Sequence, residues 1–128
     1  MMRLDPVSVV FDYLKGVNEL TNLVTGNLVG REPGDTTIYL EHSGGYRAVR
    51  SRMDRADITY QVYAEDRAEA AAVAYRVREH LLEKLPALVV GDALVLDVDE
   101  AISPRYFPDS TSREHTYQGE VTLFLTDA

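Results

Sequence analysis

The sequence predicts an α+β domain, a single antiparallel or mixed β-sheet with two main helices packed on one face. Three observations lead there. Residues 56–64 alternate, with Ile58, Tyr60, Val62 and Ala64 on one side and Asp57, Thr59, Gln61 and Tyr63 on the other. Period-two alternation of β-branched and aromatic residues is the pattern of a half-buried strand. Directly after it, residues 67–85 contain no Gly or Pro. They place Ala70, Val73, Ala74, Val77, Leu81 and Leu85 at three- and four-residue spacing, one apolar helical stripe. Finally, the elements run helix, strands, long helix, strands, without repeat, low-complexity tract or linker. The 128 residues suit one domain, 1–128.

Asp5-Pro6 opens the first helix, Asp as cap and Pro at the first helical position. Val7, Val10, Phe11 and Leu14 form its stripe, and Gly16 is its stop. A short helical turn is expected over 18–23 and a brief strand over 28–31. Glu32-Pro33-Gly34-Asp35 is a loop signal. Thr36–Ser43 reads as a strand with Ile38, Leu40 and His42 on one face, broken by Gly44-Gly45. The segment from Tyr46 to Arg55 is then either a flexible hairpin tip or an extended arginine-rich hairpin or arm continuing the two strands. Asp66 caps the long helix and Pro86 ends it. Leu88-Val89-Val90, Gly91-Asp92 and Ala93–Val98 read as a tight hairpin with Leu94, Leu96 and Val98 inward. Ser103–Ser112 reads as a polar loop. Glu114–Thr126 is the last strand, with a bulge expected at Gly119.

Composition narrows the chemistry. There is no Cys, which removes disulfides and thiolate metal sites. No apolar run approaches the ~20 residues of a membrane span, and the N-terminus lacks the pattern of a secretory signal. A cytosolic protein is expected. Net charge is −8, unevenly spread. Residues 91–128 carry eight acids against Arg105 and Arg113, whereas 47–55 carry four arginines against Asp54. An acidic chain of this kind does not present a general basic footprint for nucleic acid. Such asymmetry is either a set of solvated faces or complementarity between neighbouring subunits.

No catalytic constellation emerges: there is no nucleophile elbow, phosphate-binding glycine loop or dinucleotide fingerprint. His42, His80 and His115 have no partner at metal-ligand spacing, although His42 and His115 could meet across the sheet. No metal or other cofactor is expected. Asp97 and Asp99 alternate with inward apolar residues and read as the wet face of a strand. Should that face line a pore, its charge would keep a polyanion such as DNA from sticking. Arg47, Arg50, Arg52 and Arg55, with Tyr46 and Met53 as apolar anchors, are candidate subunit or partner contacts. Tyr106 and Phe107 join them, since adjacent aromatics in a polar loop favour interfaces.

With these elements placed, the chain resembles the tail terminator (tail completion) proteins of long-tailed bacteriophages. The parts that carry the resemblance are the opening helix Asp5–Leu14, Leu20-Thr21-Asn22-Leu23-Val24 and Gly26-Asn27-Leu28. They continue with the strand Thr37-Ile38-Tyr39-Leu40, the Gly44-Gly45 break, and the strand Ile58–Tyr63 leading to the helix Asp66–Leu85. The Tyr106-Phe107-Pro108 loop and the strand Tyr117–Phe124 complete it. The resemblance implies a non-enzymatic virion protein of the tail or neck, assembled in the host cytoplasm. It implies a homo-oligomer, a hexameric ring that caps the tail tube protein, stops its polymerisation and docks the head connector protein. DNA passes through without specific binding, and no membrane is involved. Head-completion or connector proteins of the neck share a similar build. A small cytosolic ligand-binding or enzymatic α+β domain is the alternative of a different class, and would need convergent polar groups in a pocket. A regulatory module such as an antitoxin would bring a basic DNA-binding segment or disordered tail, and neither is evident.

Overall fold

A computed structural model of the chain describes residues 5–25, 35–49, 53–108 and 114–128. The elements are α1 (Pro6–Lys15), β1 (Val24–Thr25), β2 (Thr37–Val49), β3 (Met53–Ala64), α2 (Arg67–Glu79), a π-helical segment (His80–Lys84), β4 (Val89–Val90), β5 (Ala93–Pro108) and β6 (His115–Asp127). The six strands form one mixed sheet in the order β1-β2-β3-β6-β5-β4. Among the described residues, only β1 and β2 pair in parallel. Both helices cover the same face, as the sequence predicts.

The helices start where the caps predict. The Asp5 carboxylate accepts from the Val7 N–H at 3.1 Å, and Pro6 opens α1. Asp66 does the same for Ala68 at 3.4 Å. Such a cap satisfies an N–H group that has no partner inside the helix. All six residues of the α2 stripe are buried. Five of them, Val73, Ala74, Val77, Leu81 and Leu85, close one core with Val10 and Leu14 of α1, Ile38 and Leu40 of β2, and Ile58, Tyr60 and Val62 of β3. Val95 and Val98 of β5, with Val121, Leu123 and Leu125 of β6, complete it. The long helix does not stay α-helical. From His80 it widens, and the Leu85 N–H donates to the His80 carbonyl, five residues back, at 2.9 Å. A wider turn takes up more residues. Val77, Leu81 and Leu85, each four apart, therefore drift less around the axis, and all stay buried.

Several strand expectations are corrected. The Gly44-Gly45 pair does not break β2; the strand shifts register between His42 and Gly44 and continues to Val49. Ser43 occupies the irregularity and donates its hydroxyl to the Asp57 carbonyl (3.0 Å) and to Glu120 Oε1 (2.7 Å). The ends of the arginine-rich segment extend the two strands, pairing Tyr46 with Arg55, Arg47 with Asp54 and Val49 with Met53. β6 accompanies β3 as far as Asp54, so this part of the hairpin belongs to the sheet. Arg50 and Arg52 lie outside the described residues, as do the brief strand expected over 28–31 and most of the loop before β2.

Leu96 does not point inward. A register shift between Val95 and Asp97 turns the strand over, so Val95 and Val98 are buried and Leu96 is 44% exposed. Residues 103–108 are not loop but the end of β5, paired with β6 through Pro108 opposite His115. Gly119 lies in regular register opposite Tyr60 of β3, and the irregularity expected there falls on its other side, in β5 between Ile102 and Arg105. A Cβ on Gly119 would sit 2.4 Å from the Tyr60 hydroxyl, so glycine leaves room for the ring.

Candidate functional site

The helix-free face of the sheet is built from rows that cross four strands. One row runs Tyr39, Gln61, Gln118, Arg105; the next on that face runs Glu41, Thr59, Glu120, Ile102. Asp57, Thr122 and Asp99 form a third with Gly44, and Arg55, Phe124 and Asp97 a fourth with Tyr46. The alternation that buries Ile58, Tyr60 and Val62 sends these polar residues to the other side. They bond to one another across strands. Tyr63 donates to Gln61 Oε1 at 2.6 Å, and Gln61 Nε2 to Gln118 Oε1 at 3.1 Å. Thr122 donates to Asp57 Oδ1 at 2.7 Å, and Arg55 Nε reaches the same oxygen at 3.4 Å. The four rows carry Glu41, Asp57, Glu120, Asp97 and Asp99 against Arg55 and Arg105, so the face is net negative. Asp97 and Asp99 are exposed on it, as expected.

Glu100 departs from its acidic neighbours. It faces the helices, where Arg78 of α2 clasps it with Nε on Oε1 and Nη2 on Oε2 at 3.0 Å. The Arg78 guanidinium, and then the Ser103 hydroxyl at 2.9 Å, hold the Glu100 carboxyl below its ordinary value, with partial burial opposing them. A carboxyl lowered in the folded chain adds stability above the unfolded carboxylate value of about 4.3 and loses it as pH falls through the folded value. Glu100→Gln is therefore expected to flatten the acid side of the stability profile. The change is expected to stay under about 1 kcal/mol, because the pair is partly solvated. Denaturation midpoints at pH 7 and pH 3 measure it.

At the opposite end of the sheet, Tyr106 turns to the helix side and Phe107 to the open face. Arg67 of α2 lies 4.2 Å from the Tyr106 ring centre and donates to the Tyr117 hydroxyl at 3.4 Å. The Tyr106 hydroxyl is 2.8 Å from His115 Nδ1. Phe107 is 37% exposed, with Arg105 4.8 Å from its ring centre. The two aromatics thus have different surroundings. Of the other candidate contacts, Met53 and Arg55 are half-buried, Arg55 against Asp57. Tyr46 and Arg47 are placed by their backbone pairing at the β2 end of the sheet. His42 and His115 do not meet: His42 is paired with Ile58 in the middle of β3 and His115 with Ala64 at its end.

Two further groupings have no signal in the sequence. Tyr13 of α1 lies 3.1 Å from His80 Nδ1, and Glu19 Oε1 lies 3.2 Å from His80 Nε2. This chain of contacts ties the first residue of the π-helical segment to α1 and the turn after it. The second grouping is apolar. The exposed large apolar side chains among the described residues are Tyr75, Leu88, Val89, Leu96, Ile102 and Phe107. All but Tyr75 lie on β4, β5 or the turn before them, along one sheet edge. Among the described residues, no three His, Asp or Glu side chains converge as a metal site, and no helix is long and apolar enough to cross a membrane.

No family model and no curated protein sequence matches this chain. Among solved structures, a chain of the "Virion of native gene transfer agent (GTA) particle" is similar, with a TM-score of 0.72. The likeness covers 96% of this chain and 95% of that one at 14% sequence identity. At that identity the likeness is one of fold.

Proposed function

We propose that this chain is a non-enzymatic structural subunit of a phage-like virion, working as a ring at the head–tail joint. There it caps the tail tube, ends tube polymerisation and offers the docking surface for the head connector. The observation that carries the reading is the likeness of fold, over nearly the full length of both chains, to a component of a gene transfer agent virion. The interior supports a structural role as well. Ala70, Val73, Ala74 and Val77 bring α2 close onto the sheet, and all are buried. Small side chains at that contact favour packing over a cofactor cavity.

In this reading the net-negative helix-free face turns to the lumen, and Asp97 and Asp99 repel DNA as it passes. Asp97→Asn with Asp99→Asn is expected to convert a chain that flows past DNA into one retained on it at low salt. DNA co-elution measures this, and unchanged elution contradicts the lumen assignment. A head-completion or connector role in the neck is the neighbouring reading, since the likeness is to a component of a whole particle and gives no position within it. Labelling a tagged chain in purified particles tests the proposal. Label at the head–tail joint is expected; absence of the chain from the particles overturns the virion role.

A further inference from the structure

We propose that the far end of β5 docks an acidic, extended segment of a different protein of the particle, with Arg67 and Arg105 taking its carboxylates. The inference rests on the virion reading, which supplies the neighbouring protein. Its basis is two exposed arginines, each laid on an aromatic ring. The Arg67 guanidinium lies 4.2 Å from the Tyr106 ring centre, and that of Arg105 lies 4.8 Å from the Phe107 ring centre. Arg67 Nε donates to the Tyr117 hydroxyl at 3.4 Å, which leaves the two terminal nitrogens of its fork for an acceptor. The Tyr106 ring beneath it is itself held. Its hydroxyl is 2.8 Å from His115 Nδ1, and its centre is 5.6 Å from that of the Tyr117 ring. Among the described residues neither arginine has a carboxylate partner, whereas Arg55 lies against Asp57 and Arg78 against Glu100. Helix stability does not account for Arg67 either. It is the first residue of α2, the end of a helix at which a positive charge is disfavoured.

Charge, geometry and surroundings define the partner. A guanidinium backed by a ring loses less freedom on meeting a carboxylate, and its fork takes the two oxygens together. Tyr106 and Phe107 face opposite sides of β5, so Arg67 stands on the helix side and Arg105 on the open face of one edge strand. Successive side chains of an extended chain alternate in the same way. A segment passing along this rim therefore offers neighbouring carboxylates to the two arginines. β6 pairs with Arg105, Tyr106 and Phe107 from the inner side, and β4 pairs with β5 only at Ala93 and Leu94. The chain itself holds two pairs of adjacent acids, Glu65-Asp66 and Asp99-Glu100. Neither serves, because Asp66 caps α2 and Glu100 is held by Arg78. The segment is thus that of a different protein. Nucleic acid fits less well. The open face beyond Arg105 carries Glu41, Glu120, Asp57, Asp99 and Asp97, which oppose a continuous polyanion but not carboxylates set singly at the arginines. Arg, Tyr and Phe are also the side chains that protein–protein contacts concentrate.

Carbodiimide cross-linking tests this, because it joins a lysine amine to a carboxylate in contact with it and leaves arginine untouched. Lys15 and Lys84 are the chain's only lysines, so new links are readily assigned. Arg67→Lys and Arg105→Lys, both at exposed positions, are assembled into particles and treated, and the links are read by mass spectrometry. Links from both positions to aspartate or glutamate of one segment of a different protein are expected. Links to this chain's own carboxylates, Asp109 included, overturn the inference, as does the absence of links in particles that contain the chain; both leave the virion reading standing. Arg67→Glu with Arg105→Glu supplies a second measurement. Incorporation into particles is expected to fall by about tenfold or more, as when a charge is left facing its like across a contact, with the melting temperature unchanged. Normal incorporation of that variant overturns the inference. Parent chain retained on DNA at low salt, and released by Arg67→Gln with Arg105→Gln, would assign the arginines to nucleic acid and overturn it too. A parent chain absent from purified particles overturns both the inference and the virion reading.

Discussion

Gly45→Ala is expected to destabilise the chain by about 3 kcal/mol, and most of the cost falls on the β2–β3 hairpin. Gly45 adopts φ +133°, a backbone region that L side chains rarely enter. Space is also lacking. A Cβ at this position would lie 2.2 Å from the Arg55 carbonyl oxygen and 2.8 Å from the Ala56 Cα. Both are main-chain atoms of the facing strand, so no change of rotamer relieves the contact; the strands must part. At about 4 °C per kcal/mol for a domain of this size, a fall in Tm of roughly 12 °C is expected. Gly44→Ala provides the control. Its Cβ would meet only an Asp57 carboxylate oxygen at 3.3 Å, a side-chain atom that can move. A Gly45→Ala chain as stable as the parent would contradict the described course of β2 through the glycines.

Tyr60→Ala is expected to cost about 4 kcal/mol, the loss typical of a large buried aromatic. The Tyr60 side chain is fully buried and packs over Gly119 on the facing strand. Among the described residues its hydroxyl has no hydrogen-bond partner, and burial, followed by the nearby Glu100 charge, raises its pKa well above the ordinary value. Two smaller changes separate ring from hydroxyl. Tyr60→Phe removes a buried group that gains nothing from its surroundings, so stability is expected to be unchanged or to rise by up to about 1 kcal/mol. Gly119→Ala is expected to cost about 2 kcal/mol in the parent, because the new methyl overlaps the ring. The penalty is expected to vanish in the Tyr60→Ala background, where the ring is gone. Chemical denaturation of the four chains of this cycle measures the coupling. Additive losses would mean that the ring and the glycine do not share that space.

The parts legible in the sequence are those where a period runs unbroken. β3 and α2 follow from strict alternation and from one apolar stripe, and both caps follow from Asp5 and Asp66. The misread stretches are those where the period slips. One residue of irregularity near Leu96 exchanges the faces of β5, and alternation read across it assigns Leu96 to the core. Pro104 and Pro108 suggest a loop over 103–112, yet an edge strand tolerates proline because its outer side needs no N–H partner. Gly-Gly reads as a break, whereas in β2 the second glycine accommodates a close main-chain approach. The acidic face at Asp97 and Asp99 is legible from alternation alone. The Arg78–Glu100 clasp and the Tyr13–His80–Glu19 chain are not. Each joins residues far apart in sequence, and only the docking of helices on the sheet brings them together.

The proposed role in ending tail growth at the head–tail joint has a visible consequence. It is read by deleting the coding sequence from a genome that makes the particles and measuring tail lengths by electron microscopy. Filled heads without tails are expected, beside free tubes of unregulated length, with normal particles restored by the intact chain supplied in trans. Free tails of a single, normal length would assign the chain to the connector side of the joint. Intact particles of normal length, made without the chain, would overturn the proposed role.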